Sequence, residues 1–348
     1  MINREVMLEN TQPKQGQFVP DFQTFLEPQI AEAGQYTPPT PEQVDFMEAR
    51  LDALADLMKD ADFAWQLDGG TNISLLERRF VRNHKDVDIG VFDDELEKVE
   101  AYLQKHGYQF TKHRAEKDAD GQRWVESISA VDILREDLDD IQIAKVGVNH
   151  SIEVGDTLDF VDLHISHRNS NGDTVTRYTG ATIPKKFMQP VEFYRTRSGG
   201  EIPISHPALI VYHKIETGRS YDLTDITYLK KHISDDDIAF VEQMIQSEYE
   251  NALKKFVPQF EQVFAQLSPE MSEDHIRTTL LQNQAIARMQ TDPDGQRWLQ
   301  EFPARYKSSA VMDTAQMVQD LVISVRAEEK VRARSAEKIQ RLHQALGR

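Results

Sequence analysis

The sequence has no cysteine, no long apolar run and fewer basic than acidic residues. The absence of cysteine excludes disulfide bonds and thiolate metal sites. No apolar run approaches the roughly 20 residues of a membrane-spanning helix, so we expect no membrane association. The 58 acidic and 40 basic residues give a net charge of −18, which argues against broad binding to nucleic acid.

The remaining composition is that of a soluble globular protein. At 348 residues, the length predicts about two domains, and a hydrophobic fraction of 39% is sufficient for a core. A mean hydropathy of −0.56 indicates solubility. Because the first residues, Met1–Glu5, lead into a polar stretch, we expect no signal peptide.

Three parts follow one another along the chain. Residues 1–39 are polar and rich in glutamine and proline, which predicts an extended N-terminal arm. At Thr40, an N-cap pattern with Gln43 three residues later predicts the start of a helix. We expect an αβ domain over 40–233 and a helical C-terminal domain over 234–348.

Two aspartates alternate with apolar residues in a segment typical of a strand. Because successive side chains of a strand point to opposite faces, Asp86 and Asp88 share one face while Val87, Ile89 and Val91 share the other. Two adjacent carboxylates repel each other unless a proton or a cation lies between them, and Mg²⁺ is the usual cation. The alternative is a solvated edge strand.

A glycine turn precedes the aspartates. Phe63–Leu67 is typical of a short strand, Gly69 and Gly70 of a tight turn, and residues 71–79 of a helix. Glycine lets the backbone approach a phosphate closely, and the first N–H groups of a helix attract anions. The Thr71 hydroxyl offers a further donor.

Basic residues follow the predicted helix in an otherwise acidic chain. The run at 78–85 includes Arg82 and Lys85, which are candidate counter-charges for a triphosphate. The alternative is a solvated helix end and loop. The sequence contains no Walker A pattern.

These motifs resemble those of the nucleotidyltransferase superfamily. The resemblance rests on Asp68-Gly69-Gly70, on the sixteen positions from Gly70 to Asp86, and on His84-x-Asp86-x-Asp88. It is to the branch of aminoglycoside and lincosamide nucleotidyltransferases and AbiEii-type toxins. The segment 201–226 is similar to a second motif of that branch, although His206 is inserted between its serine and proline. Together the motifs span roughly residues 40 to 233.

The resemblance implies a fold, a reaction and further site residues. The fold would be α+β, a nucleotidyltransferase fold with a short mixed sheet flanked by helices. The reaction would move an NMP from an NTP to a hydroxyl group and release pyrophosphate, with two Mg²⁺ ions between the aspartates and the α-phosphate. The resemblance also implies nucleotide or acceptor contacts for Lys214 and Asp222, although Asp222 could instead cap a helix.

A third carboxylate is implied on a later strand, where it would hold metal and activate the acceptor hydroxyl. We favour Asp162, because Asp162-Leu163-His164 followed by a turn resembles the third-acid strand of the family. The alternative is Asp132. The long stretch between Asp88 and Asp162 suggests an insertion near residues 113–156.

The acceptor stays open at the level of sequence. One hypothesis is a small hydroxylated molecule such as an antibiotic. A second is an AbiEii-like toxin that modifies tRNA or a protein and has a cognate antitoxin, and a third is a catalytically silent relative that binds a nucleotide or a partner. The use of NTP fits a cytoplasmic location.

Overall fold

The computed structural model describes the segments that carry the candidate site. Described are residues 5–8, 30–32, 35–112, 116–117, 123–145, 158, 161–176, 180–219, 221–291, 293–308, 318, 321 and 335–348. Most of the predicted arm and part of the predicted insertion at 113–156 lie outside these residues.

Two compact units divide the chain. The first comprises Met1–Arg177, Thr182–Ile210 and Thr227–Ile233, and the second comprises Tyr178–Ala181, Val211–Ile226 and Ser234–Arg348. The described strands all belong to the first unit, and the described part of the second unit is built from helices. The predicted α+β class, with a mixed sheet, flanking helices and a helical C-terminal region, is confirmed.

The strands of the first unit form one large mixed sheet and two small antiparallel sheets. The described strands are β1 (Glu5–Leu8), β2 (Ile30–Glu32), β3 (Gln35–Tyr36), β4 (Trp65–Asp68), β5 (Asp88–Phe92), β6 (Tyr108–Thr111), β7 (Glu116–Lys117), β8 (Arg123–Glu126), β9 (Asp140–Lys145), β10 (Val161–Arg168), β11 (Thr174–Val175), β12 (Thr182–Ile183), β13 (Glu192–Arg195) and β14 (Glu201–Ile204). The large sheet has the order β12-β11-β10-β5-β4-β14-β13, and β9 pairs with β10 and β6. Strand β5 is parallel to β10 and antiparallel to β4.

The central strand β5 confirms the alternation expected from the sequence. Ile89 and Val91 are buried, with 0% and 1% of their surface exposed, and Asp88 is half-buried on the other face. Because the apolar face is packed into the core, the register of β5 is fixed, and a shift by one residue would bury Asp88 instead. Asp86 lies two residues before the strand begins.

The helices cover the sheet in the first unit and form the core of the second. They are α1 (Pro41–Met58), α2 (Thr71–Leu76), α3 (Leu96–Lys105), α4 (Ala130–Glu136), α5 (Pro207–Thr217), α6 (Asp222–Leu229), α7 (Asp235–Phe264), α8 (Glu273–Leu281), α9 (Gln284–Arg288), α10 (Pro293–Ser308) and α11 (Ser335–Leu346). The predicted capping box of Thr40 and Gln43 starts α1. Among the helices described, none combines the length and apolar character needed to cross a bilayer.

The second unit has its own hydrophobic core. Its buried apolar side chains are Ala252, Phe256, Phe260, Val263, Phe264, Leu267, Ile276, Leu280, Ile286, Met289, Leu299, Phe302, Val318 and Leu321. The long helix α7 supplies five of these residues, and Leu267 follows shortly after its C-terminus. Its first turn is closed by a capping box in which Ser234 and Asp237 accept hydrogen bonds from each other's backbone N–H groups.

Replacing the N-cap of α7 tests the contribution of that capping box. We expect Ser234→Ala to lower the free energy of unfolding by about 1 kcal/mol, because the N–H of Asp237 loses its acceptor. Urea denaturation followed by far-ultraviolet circular dichroism measures the change. Ser234→Thr is the matched control, since threonine keeps the hydroxyl that accepts from Asp237 N and donates to Asp237 Oδ2. Equal losses in both variants would contradict a capping role.

Candidate functional site

Three carboxylates come together where β5 and β10 run side by side. Asp162 of β10 lies directly opposite Asp88 of β5 in the parallel register, and Asp86 precedes β5. One carboxylate oxygen from each of the three residues lies within 4.8 Å of the others. In the part of the chain that the structure describes, this is the one cluster of histidine and acidic side chains with the spacing of a metal site.

The cluster holds more negative charge than its surroundings neutralise. Burial, and then the charge of Asp86, raise the pKa of Asp88 to about 8, and Asp162 and Asp68 act in the same direction. Three carboxyl groups whose oxygens lie within 4.8 Å of one another repel each other when all are ionised, unless a counter-ion lies between them. A cation bound between them would replace the proton on Asp88. Oxygen ligands of this kind suit Mg²⁺, so the residues present fit the metal that the sequence implies.

The two candidates for the third carboxylate lie in different environments. Asp162 accepts a hydrogen bond of 2.5 Å from Gln142 Nε2, which comes from the neighbouring strand β9 and orients the carboxylate. Asp132 lies in the first turn of α4, where its carboxylate accepts a hydrogen bond from Ser129 Oγ at 2.7 Å and pairs with Arg135 at 2.6 Å. Asp132 therefore belongs to the N-terminal capping contacts of α4. Asp162 instead lies within the cluster formed with Asp86 and Asp88.

The glycine turn lies against the carboxylates. Gly69 adopts a φ of +65°, which disfavours any residue with a side chain. A Cβ atom at Gly69 would also lie 1.7 Å from Asp88 Oδ2, and one at Gly70 would lie 2.2 Å from Arg82 Nη2. Gly69 is therefore required both by its φ and for space, whereas a side chain at Gly70 would displace the end of the Arg82 side chain.

Buried polar groups behind the turn hold its backbone. Asn72 Nδ2 donates to the carbonyl oxygens of Leu67 at 3.0 Å and Gly69 at 3.2 Å. Ser205 N donates to Asn72 Oδ1, and Ser205 Oγ donates to the Leu67 carbonyl at 2.5 Å. Neither Asn72 nor Ser205 is exposed. The serine of the second sequence motif thus supports the turn from behind, a role that sequence reasoning missed.

Arg82 is buried, not solvated as the alternative interpretation of the basic run expected. Only 5% of its surface is exposed, and its Nη1 donates to the Asn83 carbonyl at 2.9 Å. The guanidinium carbon lies 5.6 Å from the ring centre of Tyr36, which stacks on Tyr228 at 6.0 Å. The end of the predicted arm therefore contributes a side chain to the packing around Arg82.

The other predicted residues around the turn occupy distinct positions. Thr71 is the first residue of α2 and is buried. Lys85 is half-buried, and its carbonyl accepts a hydrogen bond of 3.2 Å from the buried Arg50. Helix α2 ends at Leu76 instead of residue 79, because Arg78 adopts a left-handed φ of +57°.

His164 is a neighbour of the carboxylates that sequence reasoning did not single out. Its Nδ1 lies 2.8 Å from Asp68 Oδ2. Burial acts to lower the pKa of His164, but the hydrogen bond and charge of Asp68, with the charges of Asp88 and Asp140, raise the pKa to about 10. The contact between His164 and Asp68 therefore lies beside the acidic cluster. The histidine was visible in the Asp162-Leu163-His164 motif, but its partner was not.

Lys214 and Asp222 belong to the second unit, where they contact each other. Lys214 Nζ lies 3.0 Å from Asp222 Oδ1 and 2.8 Å from Asp225 Oδ2. Lys214 is 6% exposed, and neither aspartate is exposed at all. Asp222 also accepts hydrogen bonds from the backbone and side chain of Arg219. These contacts form a buried ion cluster that joins α5 to α6.

Comparison with solved structures finds partial similarity to three proteins. The solution structure of the antibiotic-resistance factor ANT(2'')-Ia is 10% identical, with 60% of this chain and 95% of that chain covered and a TM-score of 0.37. The crystal structure of the lincosamide antibiotic adenylyltransferase LnuA with lincomycin is 15% identical, with 50% and 85% covered and a TM-score of 0.30. A nucleotidyltransferase-like protein from Paracoccidioides brasiliensis is 13% identical, with 65% and 94% covered and a TM-score of 0.35.

The sequence itself matches a family model over part of its length. No curated protein matches it significantly. Residues 50–127 match the model of aminoglycoside-2''-adenylyltransferases. That stretch contains the glycine turn, Asp86 and Asp88, the same residues that the structure brings together. The match covers residues 50–127 alone, and over that stretch the chain is similar to these adenylyltransferases.

Proposed function

We propose that the protein is a Mg²⁺-dependent nucleotidyltransferase that moves an NMP from an NTP to a hydroxyl acceptor and releases pyrophosphate. The observation that carries the proposal is the approach of Asp86, Asp88 and Asp162 to within 4.8 Å beside the glycine turn. Phosphoryl-type transfer depends mainly on positioning and on stabilisation of charge. The site offers both, with carboxylates for the metal and a turn for the phosphates.

The three carboxylates are the residues that would hold the metal. Two Mg²⁺ ions would supply charge stabilisation for the attacking and leaving oxygens of an in-line displacement. The raised pKa of Asp88 supports this role, because burial and the charge of Asp86 disfavour its ionised form unless a cation is bound. Asp162, oriented by Gln142, is also positioned to orient or accept the proton of the acceptor hydroxyl.

The nucleotide would bind along the turn. The backbone of Gly69 and Gly70 has no side chain that would keep the phosphates away, and Thr71 follows it. Arg82 lies beside Gly70 and supplies a buried positive charge, and Lys85 adds a second cation nearby in the chain. Pyrophosphate would leave along the same turn, where these cations balance its charge.

A small, cationic, hydroxylated acceptor fits the site best. The matched family model is that of enzymes named for adenylyl transfer to aminoglycosides. In this chain, Asp68 and Asp140 add to the three carboxylates, and these five acids outnumber the cations Arg82, Lys85 and His164, so the described surroundings of the site are acidic on balance. Acidic surroundings attract a cationic antibiotic and repel the phosphates of tRNA. A cytoplasmic location would supply the NTP.

One labelling experiment tests the proposal. The protein is incubated with Mg²⁺ and each labelled NTP, and a panel of aminoglycosides and lincosamides or a tRNA pool is offered in turn. Label on an antibiotic supports the proposed acceptor. Label on tRNA or on a protein would replace it with the toxin-type reaction, whose partner would be a cognate antitoxin. If no label is transferred under any condition, the proposed activity is wrong, and the hypothesis of a catalytically silent relative that binds a nucleotide or a partner is favoured.

Substitution of the metal-ligand candidates gives a quantitative prediction. We expect Asp86→Ala and Asp88→Ala each to lower transfer by more than about a hundredfold, because each removes a ligand that would hold the Mg²⁺ ions that stabilise charge in the transition state. Asp162→Asn should have a comparable effect. Rates of labelled transfer measure the losses, and thermal melting checks the fold. Asp132→Asn is the matched control, since Asp132 lies in its own capping contact with Ser129. Transfer that survives both Asp86→Ala and Asp88→Ala would contradict the assignment.

Substitution of Lys214 tests whether this residue contacts the nucleotide or only stabilises the buried ion cluster. We expect Lys214→Met to lower the free energy of unfolding by about 3–5 kcal/mol, because it leaves the buried carboxylates of Asp222 and Asp225 without their partner. Adding Asp222→Asn and Asp225→Asn should recover part of that loss. Urea denaturation measures both variants. Unchanged stability together with a raised KM for the NTP would show instead that Lys214 serves the nucleotide.

A further inference from the structure

His164 and Asp68 form a bridge across the central strand of the site. His164 lies on β10 two residues after Asp162 and is directly opposite Gly90 of β5. Asp68 ends β4, on the other side of β5, opposite Asp88. The Nδ1 atom of His164 reaches Asp68 Oδ2 at 2.8 Å, so the contact spans β5 at the level of its glycine.

Gly90 leaves the space through which this bridge passes. A Cβ atom at Gly90 would lie 3.8 Å from Asp68 Oδ2 and 3.7 Å from Gln66 Cγ, which is ordinary contact. A branched side chain would extend further, into the region where His164 meets Asp68. The φ of Gly90 is not in the left-handed region, so the backbone does not itself demand glycine there.

Asp68 transmits the contact to the glycine turn. Its Oδ2 meets His164, and its Oδ1 accepts a hydrogen bond of 2.8 Å from the N–H of Gly69. Gly69 in turn lies against Asp88, whose Oδ2 would be 1.7 Å from a Cβ atom at that position. The chain of contacts therefore runs from the strand of the third carboxylate, through His164 and Asp68, to the backbone beside the metal-ligand candidates.

We propose that His164 is a positioning residue that fixes the Gly69 turn relative to the three carboxylates by holding Asp68. The proposal rests on the proposed function, in which the turn receives the triphosphate. A displacement of the turn by about 1 Å would misalign the phosphates with the metal site and weaken their binding substantially. The carboxylates themselves are held by β5, β10 and Gln142, so His164 is not needed to bring them together.

Two substitutions of His164 separate positioning from general stabilisation. His164→Leu removes the donor to Asp68 at similar volume, whereas His164→Asn keeps an N–H donor close to the position of Nδ1. Isothermal titration with tripolyphosphate in the presence of Mg²⁺ is the binding measurement. We expect His164→Leu to bind about tenfold more weakly and to show a similar rise in the KM for the NTP. We expect His164→Asn to stay near the wild type, and Mn²⁺ alone to bind His164→Leu no more weakly than the wild type.

Gly90 provides a second route to the same test. Gly90→Val should reproduce the weaker binding of tripolyphosphate by separating His164 from Asp68, and Gly90→Ala should not. The double variant Gly90→Val with His164→Leu should be no worse than either single variant, because both break one contact. If His164→Leu does not fold, the pair of Gly90 variants carries the test alone.

The outcomes distinguish the positioning role of His164 from the proposed nucleotidyltransferase function on which it rests. A wild-type protein that binds neither tripolyphosphate nor NTP would overturn the proposed function and this proposal with it. Wild-type binding that is unchanged in His164→Leu and Gly90→Val would overturn only the positioning role. Loss of melting temperature without loss of tripolyphosphate affinity would likewise show that the bridge merely stabilises the sheet.

Discussion

The rest of the site depends on the close approach between the Gly69 backbone and the carboxylate of Asp88. That approach requires a glycine with a left-handed φ, and it also requires the turn to be held from behind by Asn72 and Ser205. It places a backbone turn with room for phosphate groups beside carboxylates whose mutual repulsion a cation would relieve. Burial of Asp88, and then the charges of Asp86, Asp162 and Asp68, raise the pKa of Asp88 to about 8. In the folded protein the ionised form of Asp88 is therefore unfavourable, and a cation bound between the carboxylates would stabilise it.

Much of the site could be predicted because its signals are local. The alternation around Asp88 has period two and a packed apolar face, so the strand and the direction of its carboxylate follow from the pleat. Gly69 and Gly70 indicate a turn by composition alone. Asp162 required the resemblance to a family, since nothing in its own segment distinguishes a metal ligand from any other aspartate on a half-exposed strand.

The rest could not be predicted because it consists of contacts between distant segments. Gln142 orients Asp162 only through the pairing of β9 with β10, and Ser205 reaches Leu67 from 138 residues away. Tyr36 was placed in an extended arm by its polar neighbours, yet it is buried. Helix α2 ends early because Arg78 adopts a left-handed φ. A left-handed backbone is uncommon at residues other than glycine, so the sequence does not indicate it. Each of these depends on tertiary packing that overrides a local preference.

The most direct measurement is a crystal structure with Mn²⁺ and a non-hydrolysable NTP analogue, using anomalous scattering to locate the metal. The account predicts anomalous density between Asp86, Asp88 and Asp162, with the triphosphate along Gly69 and Gly70. Metal bound elsewhere, or a nucleotide bound away from the glycine turn while the three carboxylates carry no metal, would contradict it.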